Sequence, residues 1–116
     1  MKSAISCVNL QPLEGKRLGV LISAGPGSAG FEHGVRLVEA AVEGGIQAYL
    51  YCIDDAVAGA EDPRVQNLRS RGLRLFACAY AAQRREFPLH DNAAFSGLGA
   101  LSDLISRTDR FISFHA

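Results

Sequence analysis

Apolar residues follow two rhythms along this chain. Short, nearly unbroken apolar runs alternate with stretches in which an apolar residue returns every three or four positions. The first rhythm marks strands buried on both faces and the second marks amphipathic helices. The run at 18–22 (Leu18, Gly19, Val20, Leu21, Ile22) predicts a first strand, closed by the turn-forming stretch 23–30. Apolar residues at 31, 35, 38 and 42, with charges between them, predict a helix over 31–43 that Gly44 and Gly45 stop. Residues 46–53 predict a second buried strand. The order strand, helix, strand implies a right-handed parallel crossover.

The alternation continues beyond Asp54 and Asp55, which end the second strand. Pro63 opens a helix expected over 63–71 and closed by Gly72, and residues 73–77 predict a third strand. Residues 78–85 read as a helix, and 87–97, with Pro88 and Asn92, as a loop. A further helix is expected over 98–106, apolar at 98, 101, 104 and 105, and a last strand over 110–115. Residues 1–15 carry no period and contain Pro12 and Gly15, so they read as a lead-in segment before one domain at 16–116. The expected fold is a single-domain three-layer α/β sandwich, with a mainly parallel sheet of about five strands flanked by helices.

Composition narrows the function classes. A chain of 116 residues with 48% hydrophobic content can bury one core without disulfides or metal. Twelve basic residues balance twelve acidic ones, so no net field draws the protein to nucleic acid or an anionic membrane. No apolar stretch approaches the roughly 18–20 residues that cross a bilayer. Residues 1–10 hold a single Lys and no sustained apolar run, unlike a secretory signal. A cytoplasmic protein is therefore expected, with neither nucleic acid nor membrane as partner.

Two segments carry candidate chemistry. Gly25-Pro26-Gly27-Ser28-Ala29-Gly30 matches G-x-G-x-x-G, follows a strand, opens a helix, and has Asp54 at the end of the next strand. Such a loop can bring backbone N–H groups to a phosphate, although Pro26 supplies none and the chain has room for little more than a mononucleotide-binding half. A structural turn, or a small-anion or nucleotide site using Gly25, Gly27 and Ser28, are both open readings. The second segment surrounds Cys78, which falls between a predicted parallel strand and the next helix, at the sheet edge where open α/β folds place their sites. Helix starts favour anions, and the thiolate is the form of cysteine that attacks sulfur. A small buried apolar residue is the alternative role for Cys78.

The remaining candidates are weaker. Cys52 lies within an apolar strand and reads as core, and Cys7 lies in the lead-in. Three widely spaced cysteines form neither a disulfide framework nor a zinc site, and no histidine or cysteine pair has metal-ligand spacing, so neither metal nor other cofactor is expected. Asp54 and Asp55 read as helix caps or as an acid–base pair at the sheet edge. His90, next to Asp91, is placed to approach Cys78; His33 reads as solvated, His115 as frayed, and Arg84 and Arg85 as cations at a helix end.

Taken together, several segments resemble the DsrE family, which includes the DsrF-like and TusD-like sulfur-relay proteins. They are a strand ending in Ser23-Ala24-Gly25-Pro26, a helix rich in Glu and Ala, a strand ending in Asp54-Asp55-Ala56-Val57, and the segment 72–82 around Cys78. The similarity runs from about Arg17 to the C-terminus. It implies a compact α/β protein that forms homo- or hetero-oligomers, often trimers or hexamers. It further implies that Cys78 accepts a sulfane sulfur as a persulfide from a donor protein and passes it to an acceptor cysteine, as a sulfurtransferase would.

Overall fold

The computed structural model describes residues 13–88 and 91–116. In chain order the elements are β1 (Arg17–Ile22), α1 (Ala29–Glu43), β2 (Gln47–Cys52), a 3₁₀ segment (Asp54–Glu61), α2 (Pro63–Ser70), β3 (Arg74–Cys78), α3 (Ala79–Arg84), β4 (Ala94–Ser96), α4 (Leu98–Arg107) and β5 (Arg110–Phe114). The five strands form one sheet in the order β4-β3-β2-β1-β5. Every pairing in it is parallel. The three-layer α/β domain expected from the sequence is the one observed.

Register fixes which residues face which layer. Val20 pairs with Leu50 and Leu50 with Leu75, so these fall on one face with Ile22, Cys52 and Ala77. That face is the core side, where Val20, Ile22, Leu50, Cys52 and Ala77 are completely buried. Helix α1 lies on it, because a Cβ at Gly34 would strike Ile22 and Phe114, and the 3₁₀ segment packs there through Gly59 against Phe31. The opposite face carries Gly19, Tyr49, Tyr51 and Phe76. Helix α4 covers it, with Leu104 beside Tyr49 and Phe76, and the chain leaving α4 brings Thr108 and Phe111 against Gly19.

Local chemistry explains the helix ends. Ser28 caps α1, its Oγ accepting from the Phe31 N–H at 3.2 Å and donating to the Gly25 carbonyl at 2.7 Å. Asp62 caps α2 by accepting from the Arg64 N–H at 2.8 Å, with Pro63 in the first turn. The Arg64 guanidinium then reaches Glu32 at 2.7 Å, tying α2 to α1 and holding the Glu32 and Asp62 carboxyls below their ordinary range.

Three sequence expectations change. The stretch 87–97 is not all loop: Ala94–Ser96 forms edge strand β4, and three residues are too few to show alternation beside Pro88 and Asn92. Residues 54–61 form a 3₁₀ segment whose start has no side-chain cap, so neither Asp54 nor Asp55 caps it. His115 is not frayed: its carbonyl lies against Gly30 and its Nδ1 is 2.8 Å from Ser23 Oγ.

The glycine loop thus has structural reasons for two of its glycines. Gly27 adopts φ +91, a conformation that L side chains resist, and Gly30 leaves no room for a Cβ beneath the His115 backbone. A Cβ at Gly25 would make only ordinary contact, 3.4 Å from Asp55. Urea denaturation should therefore show Gly30→Ala destabilised by about 1–3 kcal/mol through overpacking. Gly25→Ala should stay within about 0.5 kcal/mol of the parent; equal effects at the two positions would contradict this packing.

Candidate functional site

Handedness sets the position of the site. The first three crossovers run the same way along the sheet, so right-handed connections put α1, α2 and α3 on one face. The return from β4 to β5 runs the other way and puts α4 on the opposite face. The chain therefore leaves the carboxyl ends of neighbouring β3 and β4 in opposite directions, which opens a crevice between them. Cys78 ends β3 and Gly97 follows β4, and both line a cavity of about 310 Å³.

Cys78 is the last residue of β3 and the cap of α3, in extended conformation with φ −71 and ψ 116. Its Sγ accepts from the Ala81 N–H at 3.4 Å. Helix α3 has only six residues, so this N–H is a more concrete contribution than its dipole. Tyr80, Arg84, Arg85, Asp54 and Leu98 complete most of the cavity wall. Tyr80 and Leu98 are 66% and 61% exposed, which gives the mouth an apolar rim.

The two arginines differ in their engagement. Arg85 is held by Asp55, donating from Nε and Nη2 to Oδ1 at 3.2 and 3.0 Å, and by the Ala81 carbonyl. Arg84 donates to the Tyr80 hydroxyl at 3.1 Å, with its guanidinium carbon 5.8 Å from the Tyr80 ring centre. Among the described residues Arg84 has no carboxylate partner. Asp54 adopts φ 53, which aspartate tolerates better than most residues.

The structure sorts the sequence candidates. Cys78 and Asp54 share the cavity, and Asp55 borders it through Arg85. Gly25 lies next to Asp55, whereas Gly27 and Ser28 are absent from the cavity wall and Ser28 is occupied as a cap. His90 and Cys7 lie outside the described residues. Among the described residues no group of three His, Cys, Asp or Glu side chains is arranged to hold a metal ion. Cys52 is fully buried, and burial pushes its thiol up to about 12.

Sequence reasoning missed Tyr51 and Ser96. Tyr51 is completely buried, stacks on Phe76 with ring centres 6.5 Å apart, and points its hydroxyl at the carbonyls of Ser96 and Gly97, 3.3 and 3.2 Å away. Burial raises its phenol above the ordinary tyrosine value; the nearby Ser96 side chain opposes the rise and the neighbouring Cys78 adds to it. Ser96 pairs with Cys78 across β4 and β3. Only the pairing of an unforeseen three-residue strand reveals that relation.

No protein-family model matches the chain, and no curated protein sequence matches it. Among solved structures, the crystal structure of the ychN protein from E. coli aligns with a TM-score of 0.71 at 21% identity, covering 86% of this chain and 99% of that one. At this identity the likeness is one of fold.

The two described cysteines should differ sharply in reactivity. In a Cys7→Ser background, iodoacetamide at pH 8 should label Cys78 and spare Cys52, whose thiolate fraction is then about one in ten thousand. The raised Cys52 thiol also links stability to pH. Its contribution is whole below the ordinary value near 9 and is lost as pH rises toward 12. Peptide mapping that found equal labelling would contradict the site.

Proposed function

We propose that this protein is a sulfur-transfer protein that carries a sulfane sulfur on Cys78 as a persulfide. The observation that carries this reading is a thiol in the wall of a sheet-edge cavity that also holds Arg84, which has no carboxylate partner among the described residues. In the loading step, the Cys78 thiolate attacks the sulfane sulfur of a persulfide donor, an S–S bond forms, and the donor's own thiolate leaves with the electron pair. In the unloading step, an acceptor thiolate attacks the outer sulfur and Cys78 leaves as thiolate. No net oxidant or reductant is required.

The surroundings suit each step. A persulfide adds one sulfur atom, which a space of about 310 Å³ accommodates together with the approaching end of a donor. Arg84 offers charge to the anionic outer sulfur, and the exposed Tyr80 and Leu98 give a protein partner an apolar surface to dock on. The fold shared with the ychN protein and the sequence resemblance to the DsrE family support the same reading. Assembly into a trimer or hexamer, the donor and acceptor proteins, and a cytoplasmic setting belong to this proposal. Among the described residues no helix is long and apolar enough to cross a membrane. The rival reading, a small-anion or nucleotide module at the 25–30 loop, has less support because backbone conformation, helix capping and packing already account for Gly27, Ser28 and Gly30 respectively.

Intact-mass spectrometry after incubation with a sulfane-sulfur donor tests the proposal. The parent protein and Cys52→Ala should each gain about one sulfur mass, reversible by reductant, while Cys78→Ala should gain none. An equal gain in Cys78→Ala, or none in the parent, would refute the carrier role.

A further inference from the structure

We infer that the Ser96 hydroxyl is the hydrogen-bond donor to an anionic sulfur at position 78, either the Cys78 thiolate or the outer sulfur of its persulfide. The persulfide half of this inference rests on the sulfur-transfer reading and the thiolate half does not. Cys78 and Ser96 are register partners at the carboxyl ends of adjacent parallel strands. Their side chains therefore leave the same face of the sheet, from backbones about 4.8 Å apart.

The Ser96 hydroxyl is itself anomalous. Its Oγ is buried and has no hydrogen-bond partner among the described residues. A buried hydroxyl in that state is an unfavourable arrangement unless another group completes it. The serine backbone is already engaged, since the Tyr51 phenol reaches the carbonyls of Ser96 and Gly97 from β2 and pins the junction of β4 with α4. What remains is an O–H that can rotate about its Cβ–Oγ bond, on the sheet face it shares with Cys78, whose sulfur already accepts from the Ala81 N–H on the α3 side and has the Tyr51 phenol as a neighbour. An anionic sulfur here would be held by donors from two elements, and the hydroxyl would gain its acceptor only when that sulfur is charged.

The test uses Ser96→Ala, Ser96→Thr and Tyr51→Phe in full-length protein. Three readouts apply: the rate of Cys78 alkylation by iodoacetamide at pH 7, the lifetime of the sulfur adduct after loading with inorganic polysulfide, and the melting temperature. Ser96→Ala should slow alkylation roughly threefold, because a lost hydrogen bond to a charged acceptor shrinks the thiolate population while the freed thiolate gains nucleophilicity. It should also shorten the adduct lifetime several-fold, yet melt no lower than the parent, since the deleted hydroxyl had no partner to lose. Ser96→Thr keeps the hydroxyl and should restore both rates, and Tyr51→Phe should fall between.

Each outcome separates the two claims. Parent-like alkylation and adduct lifetime in Ser96→Ala, with normal sulfur loading, overturns the inference and leaves sulfur transfer standing. Absence of loading in the parent, with alkylation still dependent on the hydroxyl, refutes sulfur transfer and upholds Ser96 as the donor to the thiolate. Absence of loading together with parent-like alkylation in Ser96→Ala removes both. Failure of Ser96→Thr to rescue alkylation would overturn the hydroxyl as the responsible group.

Discussion

The handedness of parallel crossovers is the constraint on which the rest of this protein depends. Four strands laid down in one direction commit their three connections to one face of the sheet, and the fifth strand can then be reached only across the other face. That reversal falls between β3 and β4. Their carboxyl ends are consequently left with backbone departing to either side and a cavity between, and the candidate chemical groups Cys78, Asp54 and Arg84 line it.

The same sheet shows why its two described cysteines differ. Cys52 faces the layer beneath α1 and pairs with Ala77, so it is sealed into the core and its thiol resists ionisation. Cys78, itself only 3% exposed, lies one residue beyond that pair, and the period of two in a strand turns it to the opposite face, where it forms part of the cavity wall. Chain direction brings Arg84 and Tyr80 from α3 to one side of it. The start of α4 closes the other side with Gly97 and Leu98. No single element contains the site, so the packing that stabilises the fold also assembles the chemical groups.

Much of this was legible in the sequence because it rests on local periodicity. The apolar runs of β1, β2 and β3 and the recurrence in α1 and α4 need no tertiary knowledge, and they suffice to put Cys78 at the carboxyl edge of a parallel sheet. What escaped has physical reasons. Edge strand β4 is three residues long, shorter than the pattern that would betray it, and Ser96 acquires meaning only through its pairing with β3. Tyr51 reads as one more apolar residue in a buried strand until its hydroxyl is seen at the β4–α4 junction. The glycine loop left two readings open from the sequence, because a motif that suits phosphate also suits a tight turn beneath the closing backbone of His115, and only the tertiary contacts give the turn its reasons. Asp54 and Asp55 resembled caps because helix starts attract carboxylates, but one lines the cavity and the other holds Arg85.

A crystal structure of the protein after exposure to a sulfane-sulfur donor would show whether Cys78 carries the transferred sulfur. One additional sulfur is expected about 2.05 Å from Cys78 Sγ, the length of an S–S bond, lying in the cavity. Ordered additional sulfur on Cys52, or a loaded protein with Cys78 unmodified, would contradict the carrier role.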